Sequence, residues 1–179
     1  DNIGEKQHKF INGSDTCSFC GSYIPAEADE NGIYQIDSVT DLYWFAQQVN
    51  SGNNSSIKAV LTTDITVNEG VLKADGTLAD DTSGFRVWTP IGKESSVFEG
   101  EFDGQGHTIS GLYVNDPEAT RVGLFGSTSD TGTIKNVGVI DSYFYGDEYV
   151  GGISGSNDST ITNCYSICSV NGNSRVGGI

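Results

Sequence analysis

The apolar positions near the start of this chain change period twice. Alternation over Ile33–Ile36 and Ala59–Val67 predicts strands. Between them, Ser38-Val39-Thr40-Asp41 has the form of a helix-capping box, and Ser51-Gly52 supplies a stop signal. The apolar residues behind the box fall on one helical face: Leu42, Phe45, Ala46 and Val49. The pattern therefore predicts one amphipathic helix, residues 38–50, between two strands.

From residue 98 onward the chain repeats itself. Thr-Ile pairs recur with Ile109, Ile134 and Ile161, which lie 25 and 27 residues apart, a period typical of solenoids. Val-Gly-Gly-Ile occurs at Val150 and again at Val176. Each repeat alone buries too little apolar surface, so like residues are expected to stack between coils. The repeats predict an all-β fold, a parallel β-helix (β-solenoid), with the helix capping the open N-terminal end of its core.

Aligning the three isoleucines gives further columns. Asn136 and Asn163 share a column, where side-chain amides can bond along the stack as a ladder. Cys164 falls in an apolar column and is predicted to be a small core residue rather than a reactive thiol. A column of threonines contains Thr108, Thr133 and Thr160.

The composition divides the chain at residue 31. Residues 1–31 are polar and turn-rich, whereas residues 32–179 carry the repeats, so we predict an N-terminal segment followed by a β-helix domain. The last residues, Arg175–Ile179, begin another repeat, and we expect the natural protein to continue beyond them. Within the domain, 68–86 is a long polar insertion. Its three aspartates make it a candidate calcium loop, although a solvated loop is the favoured interpretation.

A Cys-x-x-Cys-Gly element lies in the N-terminal segment. Cys17 and Cys20, with His8 upstream, are three residue types that bind zinc. A structural zinc site uses four ligands, so a turn without metal is somewhat favoured over a zinc knuckle. Zinc at these residues, or calcium elsewhere on the acidic surface, is the only cofactor that the sequence suggests.

Charge excludes some classes of partner. Acidic residues outnumber basic ones 24 to 9, giving a formal charge of −15, which argues against nucleic acid because phosphate contacts need clustered Lys and Arg. We also expect no membrane insertion, since no apolar run is long enough to span a bilayer. An acidic, polar surface fits an exported protein that stays soluble through self-repulsion.

A set of motifs resembles a known family. It includes Trp88-x-Pro90-Ile91-Gly92, Phe98-x-Gly100-x-Phe102-Asp103-Gly104 and Val122-Gly-Leu-Phe-Gly126, and the likeness covers roughly 32–179. Together they closely resemble the GLUG-motif proteins of bacterial cell surfaces. The resemblance implies a right-handed, pectin-lyase-like β-helix in a secreted or wall-attached, adhesin-like protein. Such segments also occur beside immunoglobulin-A-cleaving zinc metallopeptidase domains, but this chain has no His-Glu-x-x-His motif.

Three functions are open at this stage. The favoured hypothesis is a non-catalytic surface module, an adhesin or spacer, that contacts a glycan or host protein and adjoins further repeats of the same polypeptide. The alternative is a polysaccharide-active enzyme of the lyase or hydrolase type, an analogy from fold alone. The third is an ice-binding array built on the threonine column, which Lys135 interrupts.

The enzyme hypothesis names a candidate site. By the isoleucine alignment, Asp116 and Asp141 share a column, and Lys135 lies on the outward face of the same coil as Asp141, where it could face an acidic glycan. A solvated acidic pair is the favoured interpretation. Trp44, off the apolar helix face, is a candidate binding aromatic, although packing is the commoner role for one tryptophan. His107 is expected to be structural.

Overall fold

The computed structural model describes residues 15–18 and 20–179, and it is an all-β parallel β-helix with one helix, as the repeats predicted. The elements follow in chain order: β1 (Ile33–Ile36), α1 (Val39–Asn50), β2 (Lys58–Leu61), β3 (Ile65–Thr66), β4 (Glu101–Asp103), β5 (Thr108–Ser110), β6 (Tyr113–Asn115), β7 (Thr120–Val122), β8 (Phe125–Thr128), β9 (Thr133–Lys135), β10 (Gly138–Tyr145), β11 (Glu148–Val150), β12 (Ser154–Asn157), β13 (Thr160–Thr162), β14 (Tyr165–Asn171) and β15 (Ser174–Val176).

The strands stack into four walls. Sheet A has the order β1-β2-β4-β9-β13 and sheet B the order β3-β5-β10-β14, with β6 also paired to β10. Sheet C is β7-β11-β15 and sheet D is β8-β12. The strand pairs within these walls are parallel. Since successive strands of one wall come from successive coils, the chain winds and the core lies inside the winding.

The register confirms part of the isoleucine alignment and contradicts the rest. Ile134 pairs with Ile161, but on its other side it pairs with Phe102. Ile109 belongs to sheet B, where it pairs with Val139 and Ile65. The first member was therefore placed on the wrong wall. Strands β5 and β9 look alike in sequence because each has a buried isoleucine between two polar residues, Thr-Ile-Ser and Thr-Ile-Lys, although they lie in different walls.

This shift removes the threonine array. Thr108 pairs with Gly138 in sheet B, whereas Thr133 pairs with Thr160 and with Glu101 in sheet A. The three threonines do not form one column, so the geometry on which the ice-binding hypothesis depended is wrong.

The Val-Gly repeats and the asparagine column are in the predicted register. Val122, Val150 and Val176 pair in order along sheet C. The side-chain amide of Asn163 donates to Asn136 Oδ1 at 3.2 Å, and that of Asn136 donates to Asp103 Oδ1 at 2.9 Å. The predicted ladder therefore exists, and Asp103 extends it by one coil.

Helix α1 begins and ends as its sequence predicts. The Ser38 hydroxyl accepts from the Asp41 amide at 3.2 Å, and Gly52 adopts a positive φ of 77° after the last turn. Phe45 is fully buried, with its ring centroid 6.0 Å from that of Phe98 and 5.7 Å from that of Phe102. The helix thus packs its apolar face against core aromatics of the following coils.

The described part of the N-terminal segment packs onto the domain. Ala28 bridges Tyr34, so the division at residue 31 falls in a turn between paired segments. Asp15 forms an ion pair with Arg86 at 2.6 Å, and the Arg86 guanidinium lies 3.9 Å from the ring centroid of Tyr43 on α1. These contacts join the segment, the helix and the end of the insertion.

The insertion is an ordered excursion. Its base is closed by Asn68, whose side chain accepts from the Arg86 amide at 2.7 Å and donates to Gly111 O at 2.8 Å. Leu72 bridges Leu78 in a small hairpin, in which Asp75 accepts from Thr77 and Lys73 pairs with Asp80. Asp81 accepts from the Ser83 amide, so all three aspartates of the insertion are engaged within the loop.

Candidate functional site

A concavity of the β-helix arises where one coil is shorter than the next. Trp88 donates its amide to Tyr113 O at 2.8 Å, and Ile91 donates to Leu124 O at 3.0 Å. Only two residues separate Trp88 from Ile91, whereas the coil above travels from Tyr113 through the whole of β7 to reach Leu124. The coil that contains residues 88–91 therefore has no strand opposite β7, and we call this short connection the shortcut. Among the described strands, β7 is the last of sheet C on this side.

We call the resulting depression the β7 groove. Its volume is about 780 Å³, and it is lined by residues 87–90, 92–95, 113–116 and 119–122. Val87 is exposed, while Trp88 and Tyr113 are buried, with 2% and 8% of their surfaces accessible. The groove therefore has an apolar floor with little aromatic face open to solvent.

The shortcut that forms the floor is fastened from three directions. The Trp88 indole donates to Gly123 O at 3.1 Å. The Asn50 side chain, at the end of α1, donates to Pro90 O and accepts from the Gly92 amide, both at 2.9 Å. Gly92 has φ 82°, and a Cβ there would lie 2.3 Å from Ser127 O. The floor can approach β8 this closely because Gly92 has no side chain.

A column of alternating guanidinium groups and an aromatic ring begins at the mouth of the groove with Arg121 and continues along sheet C. Arg121 on β7 forms a two-point ion pair with Glu94, at 3.0 and 3.2 Å. Its guanidinium lies 5.3 Å from the ring centroid of Tyr149 on β11, and Arg175 on β15 lies 4.6 Å from the same ring. Arg121, Tyr149 and Arg175 share positive φ angles of 60°, 59° and 52°. The same unusual backbone therefore points three successive side chains into one cation–π stack.

Of the four residues that the sequence suggested for ligand binding, Asp116 alone lies in this groove. It follows Asn115, which pairs with Tyr145. Asp141 is the extra residue of a bulge between Ile140 and Ser142, with φ 46°, and its carboxylate accepts from the Leu72 amide at 3.3 Å. The predicted shared column of Asp116 and Asp141 is therefore wrong, because the bulge and the misplaced Ile109 both alter the register.

Lys135 is also held elsewhere. Its ammonium lies 2.7 Å from Glu101 and 3.5 Å from Asp103, on sheet A, and Lys58 pairs with Glu101 from the other side at 3.3 Å. Hydrogen bonding to Lys135 holds the pKa of Glu101 below its usual value and raises the pKa of Lys135. These contacts make the four side chains an ion ladder along the stack. Lys135 does not face Asp141 across a substrate site.

The remaining candidates have structural surroundings. Trp44 is buried, with its ring 4.7 Å from that of Tyr34, so it offers no open aromatic surface. His107 Nδ1 lies 3.3 Å from Asp64 Oδ1, the oxygen that also accepts from the Thr108 amide at 2.8 Å. The hydrogen bond from the Thr108 backbone amide is the main cause of the lowered pKa of Asp64. His107 thus belongs to a turn-stabilising cluster between β3 and β5.

The cysteines separate into two pairs. His8 lies outside the described residues; Cys17 is buried and Cys20 exposed on a tight turn in which the Gly21 amide donates to Cys17 O at 2.9 Å. Within 15–18 and 20–179, no group of three or more His, Cys, Asp and Glu side chains is arranged to hold a metal ion. Burial raises the pKa of the Cys164 thiol, and that of Cys168 to about 12, so both are poor nucleophiles.

Arg121, Glu94 and Tyr149 were missed by the sequence analysis. The unequal spacing of the motifs was a signal. The segment Trp88-x-Pro90-Ile91-Gly92 connects two walls directly, whereas Tyr113–Phe125 connects the same two walls with β7 between them. The residue before each repeated valine was not aligned, and that position carries Arg121, Tyr149 and Arg175.

The comparisons with known proteins align the chain with small parts of two much larger proteins. It is 34% identical over 163 residues to Halomucin from Haloquadratum walsbyi, an alignment covering 89% of this chain and 2% of Halomucin. It is 32% identical over 79 residues to a protein of Evansella cellulosilytica described as a Gly-rich membrane protein, covering 42% of this chain and 9% of that protein. No family model matches the chain, and no solved structure matches it either. Among the described residues, no helix has the length and apolar character needed to cross a bilayer.

Proposed function

We propose that this chain is a non-catalytic module of a large surface or membrane-associated protein, in which a rigid β-helix contacts a glycan or a host protein. The observation that carries the proposal is the alignment of 89% of the chain with only 2% of Halomucin. A unit of this size within so long a protein fits a building block of an extended structure. The second relative is described as a membrane protein, which supports a location at the cell boundary.

The shape and charge of the chain agree with this role. A β-helix is stiff because neighbouring coils share backbone hydrogen bonds and a continuous core. The formal charge of −15 favours solubility, because modules of like charge repel one another and so stay apart. The β7 groove, about 780 Å³ in volume, supplies the concavity in which a partner can be held.

Binding arrays test the proposal. The purified chain would be applied to immobilised glycans and extracellular-matrix proteins, beside a Thr120→Trp variant that fills the groove and a Ser174→Trp control. Ser174 occupies the equivalent position two coils away and is exposed. We expect saturable binding by the native chain and the control, reduced by Thr120→Trp. A dissociation constant of about 0.1 mM corresponds to a binding free energy of roughly −5 kcal/mol. If no probe bound at that protein concentration, a contact role would be contradicted and the module would be a spacer.

The enzyme alternative has no observation in its favour among the described residues. It depended on Asp116, Asp141 and Lys135 meeting at one site. They lie in the β7 groove, in a bulge of sheet B and in the ion ladder of sheet A, respectively.

A further inference from the structure

We propose that the β7 groove binds an extended polypeptide segment, which adds to β7 as a further parallel strand and places an aromatic side chain against Arg121. The inference rests on the proposed function and deepens it, since it selects a protein partner over a glycan and names the mode of contact.

The first argument is the place of β7 in its wall. In the other three walls the same coil rests on an earlier one: β4 pairs with β2, β5 pairs with β3, and β8 is bridged by Ile91 and Phe98. In sheet C, by contrast, β7 is the terminal strand within residues 15–18 and 20–179. Stacked strands repeat at roughly 4.8 Å, so the groove lies where one more strand would continue the ladder. Addition of an extended peptide to such an edge is an established mode of recognition.

The second argument is the chemistry of the outward column. It alternates guanidinium and aromatic ring, in the order Arg121, Tyr149, Arg175 along sheet C. An aromatic residue in the added strand would continue this alternation beneath Arg121. Glu94 now occupies that side of Arg121, but its side chain is 77% exposed, so its carboxylate can return to water when another group takes its place. Glu94 can therefore be displaced.

The third argument is what the groove lacks. Carbohydrate sites use open aromatic faces, and here Trp88 and Tyr113 are almost wholly buried, with the Trp88 indole already donating to Gly123 O. What the groove offers is a strand edge, apolar walls and the Arg121 cation. The inward column of sheet C is Val122, Val150 and Val176, so a β-branched residue suits the position after the aromatic one.

The chain itself provides a probe with this pattern. Residues 146–152, Gly-Asp-Glu-Tyr-Val-Gly-Gly, include β11, which already pairs with the other side of β7. A blocked synthetic peptide of this sequence would be titrated into the whole isotopically labelled chain and followed by amide chemical shifts. We expect shifts confined to 87–95 and 113–123, with a dissociation constant of about 10⁻⁴ M.

Matched variants decide the mode of binding. Arg121→Asn should weaken the peptide at least tenfold, whereas Arg175→Asn, at the equivalent position of β15, should leave it within twofold; Asn tolerates the left-handed backbone at both sites. The peptide with Tyr replaced by Ala should bind as weakly as the native peptide binds Arg121→Asn. Shifts outside the groove, equal losses in the two Arg variants, or no shift at about 1 mM peptide would overturn the inference.

Two further outcomes separate this inference from the proposed function. Binding to a glycan or matrix protein that Arg121→Asn leaves unchanged would keep the proposed function and overturn the groove as its site. Sedimentation velocity on the chain without peptide should show a monomer. A dimer that Arg121→Asn dissociates would show that a second copy occupies the groove, and would overturn the choice of a foreign segment.

Discussion

At the scale of single residues, left-handed backbone recurs at equivalent positions of successive coils. Five of the non-glycine residues with positive φ repeat in this way: Asn136 and Asn163 after β9 and β13, and Arg121, Tyr149 and Arg175 at the centres of β7, β11 and β15. A left-handed residue costs about 1–2 kcal/mol unless it is glycine, and Asn bears this cost best. At both positions, contacts along the stack offset the cost.

Substitutions of Asn136 separate the contribution of backbone conformation to stability from that of the side-chain hydrogen bonds. We expect Asn136→Ala to lower the free energy of unfolding by about 2 kcal/mol, because it adds left-handed strain and removes the bonds to Asp103 and Asn163. Asn136→Gly removes the bonds alone and should cost about 1 kcal/mol. Urea denaturation measures both. If Gly were as destabilising as Ala, the backbone contribution would be refuted.

At the scale of elements, the ion ladder of sheet A ties β2, β4 and β9 together through their outward side chains. Glu101 accepts from Lys58 and Lys135, and its pKa lies below the ordinary value of 4.5 because of those bonds. For Asp103, burial acts to raise the pKa, but hydrogen bonds from Asn136 and Gln105 outweigh it and the pKa is lowered. Both carboxyls thus release protons more readily in the folded chain.

Stability should therefore fall in acid. The unfolded carboxyls bind protons first, so the stabilisation is present above their unfolded pKa values, near 4.5 and 3.8, and is lost as the pH falls through the lower folded values. Urea midpoints measured between about pH 6 and pH 2 should show this loss. Lys135→Met should make the loss smaller, whereas Lys93→Met should not. An unchanged acid profile in Lys135→Met would show that the ladder does not carry the effect.

The shortcut beneath β7 depends on one glycine. Gly92 and Gly76 have nearly the same φ, 82° and 80°, but a Cβ at Gly92 would meet Ser127 O at 2.3 Å, whereas a Cβ at Gly76 meets nothing within 4 Å. We expect Gly76→Ala to cost about 1 kcal/mol of unfolding free energy, and Gly92→Ala about 3 kcal/mol. Thermal or urea unfolding compares them. Equal costs would mean that close approach of the shortcut to β8 is not required.

At the scale of the whole molecule, the core is a single column of side chains with α1 at its N-terminal end. The β-helix closes there because Phe45 packs on Phe98 and Phe102. On the last coil, Tyr165, Ile167 and Val176 are exposed. The two ends of the stack therefore differ in how their apolar residues are covered.

Truncating a side chain should destabilise the fold more at the end covered by α1, at Phe45, than on the last coil, at Ile167. We expect Phe45→Ala to lower the unfolding free energy by about 4 kcal/mol and to speed amide exchange in β1, β2 and β4. Ile167→Ala, at a side chain 68% exposed, should cost less than about 0.5 kcal/mol. A small effect of Phe45→Ala, or exchange spread evenly over all coils, would contradict a capping role for the helix.

The sequence by itself determined the class of fold, the helix with its caps, the order of the Val-Gly repeats and the asparagine ladder. These follow from local signals: apolar period, capping residues, and like residues recurring at a fixed spacing. The sequence did not determine the wall to which Ile109 belongs, because β5 and β9 have the same short strand pattern in different walls. Nor did it reveal the bulge at Asp141, which shifts the register by one residue.

The β7 groove was decided only by the tertiary structure. Each coil has its own length, so the alignment of coils, rather than any motif, leaves β7 without a neighbouring strand on one side among the residues that the structure describes. The residues that form the groove come from segments some 25 positions apart, and Arg121 meets Glu94 27 residues away because winding brings the coils into contact. Local pattern specifies that a chain winds; which side chains then meet depends on how many residues each turn contains.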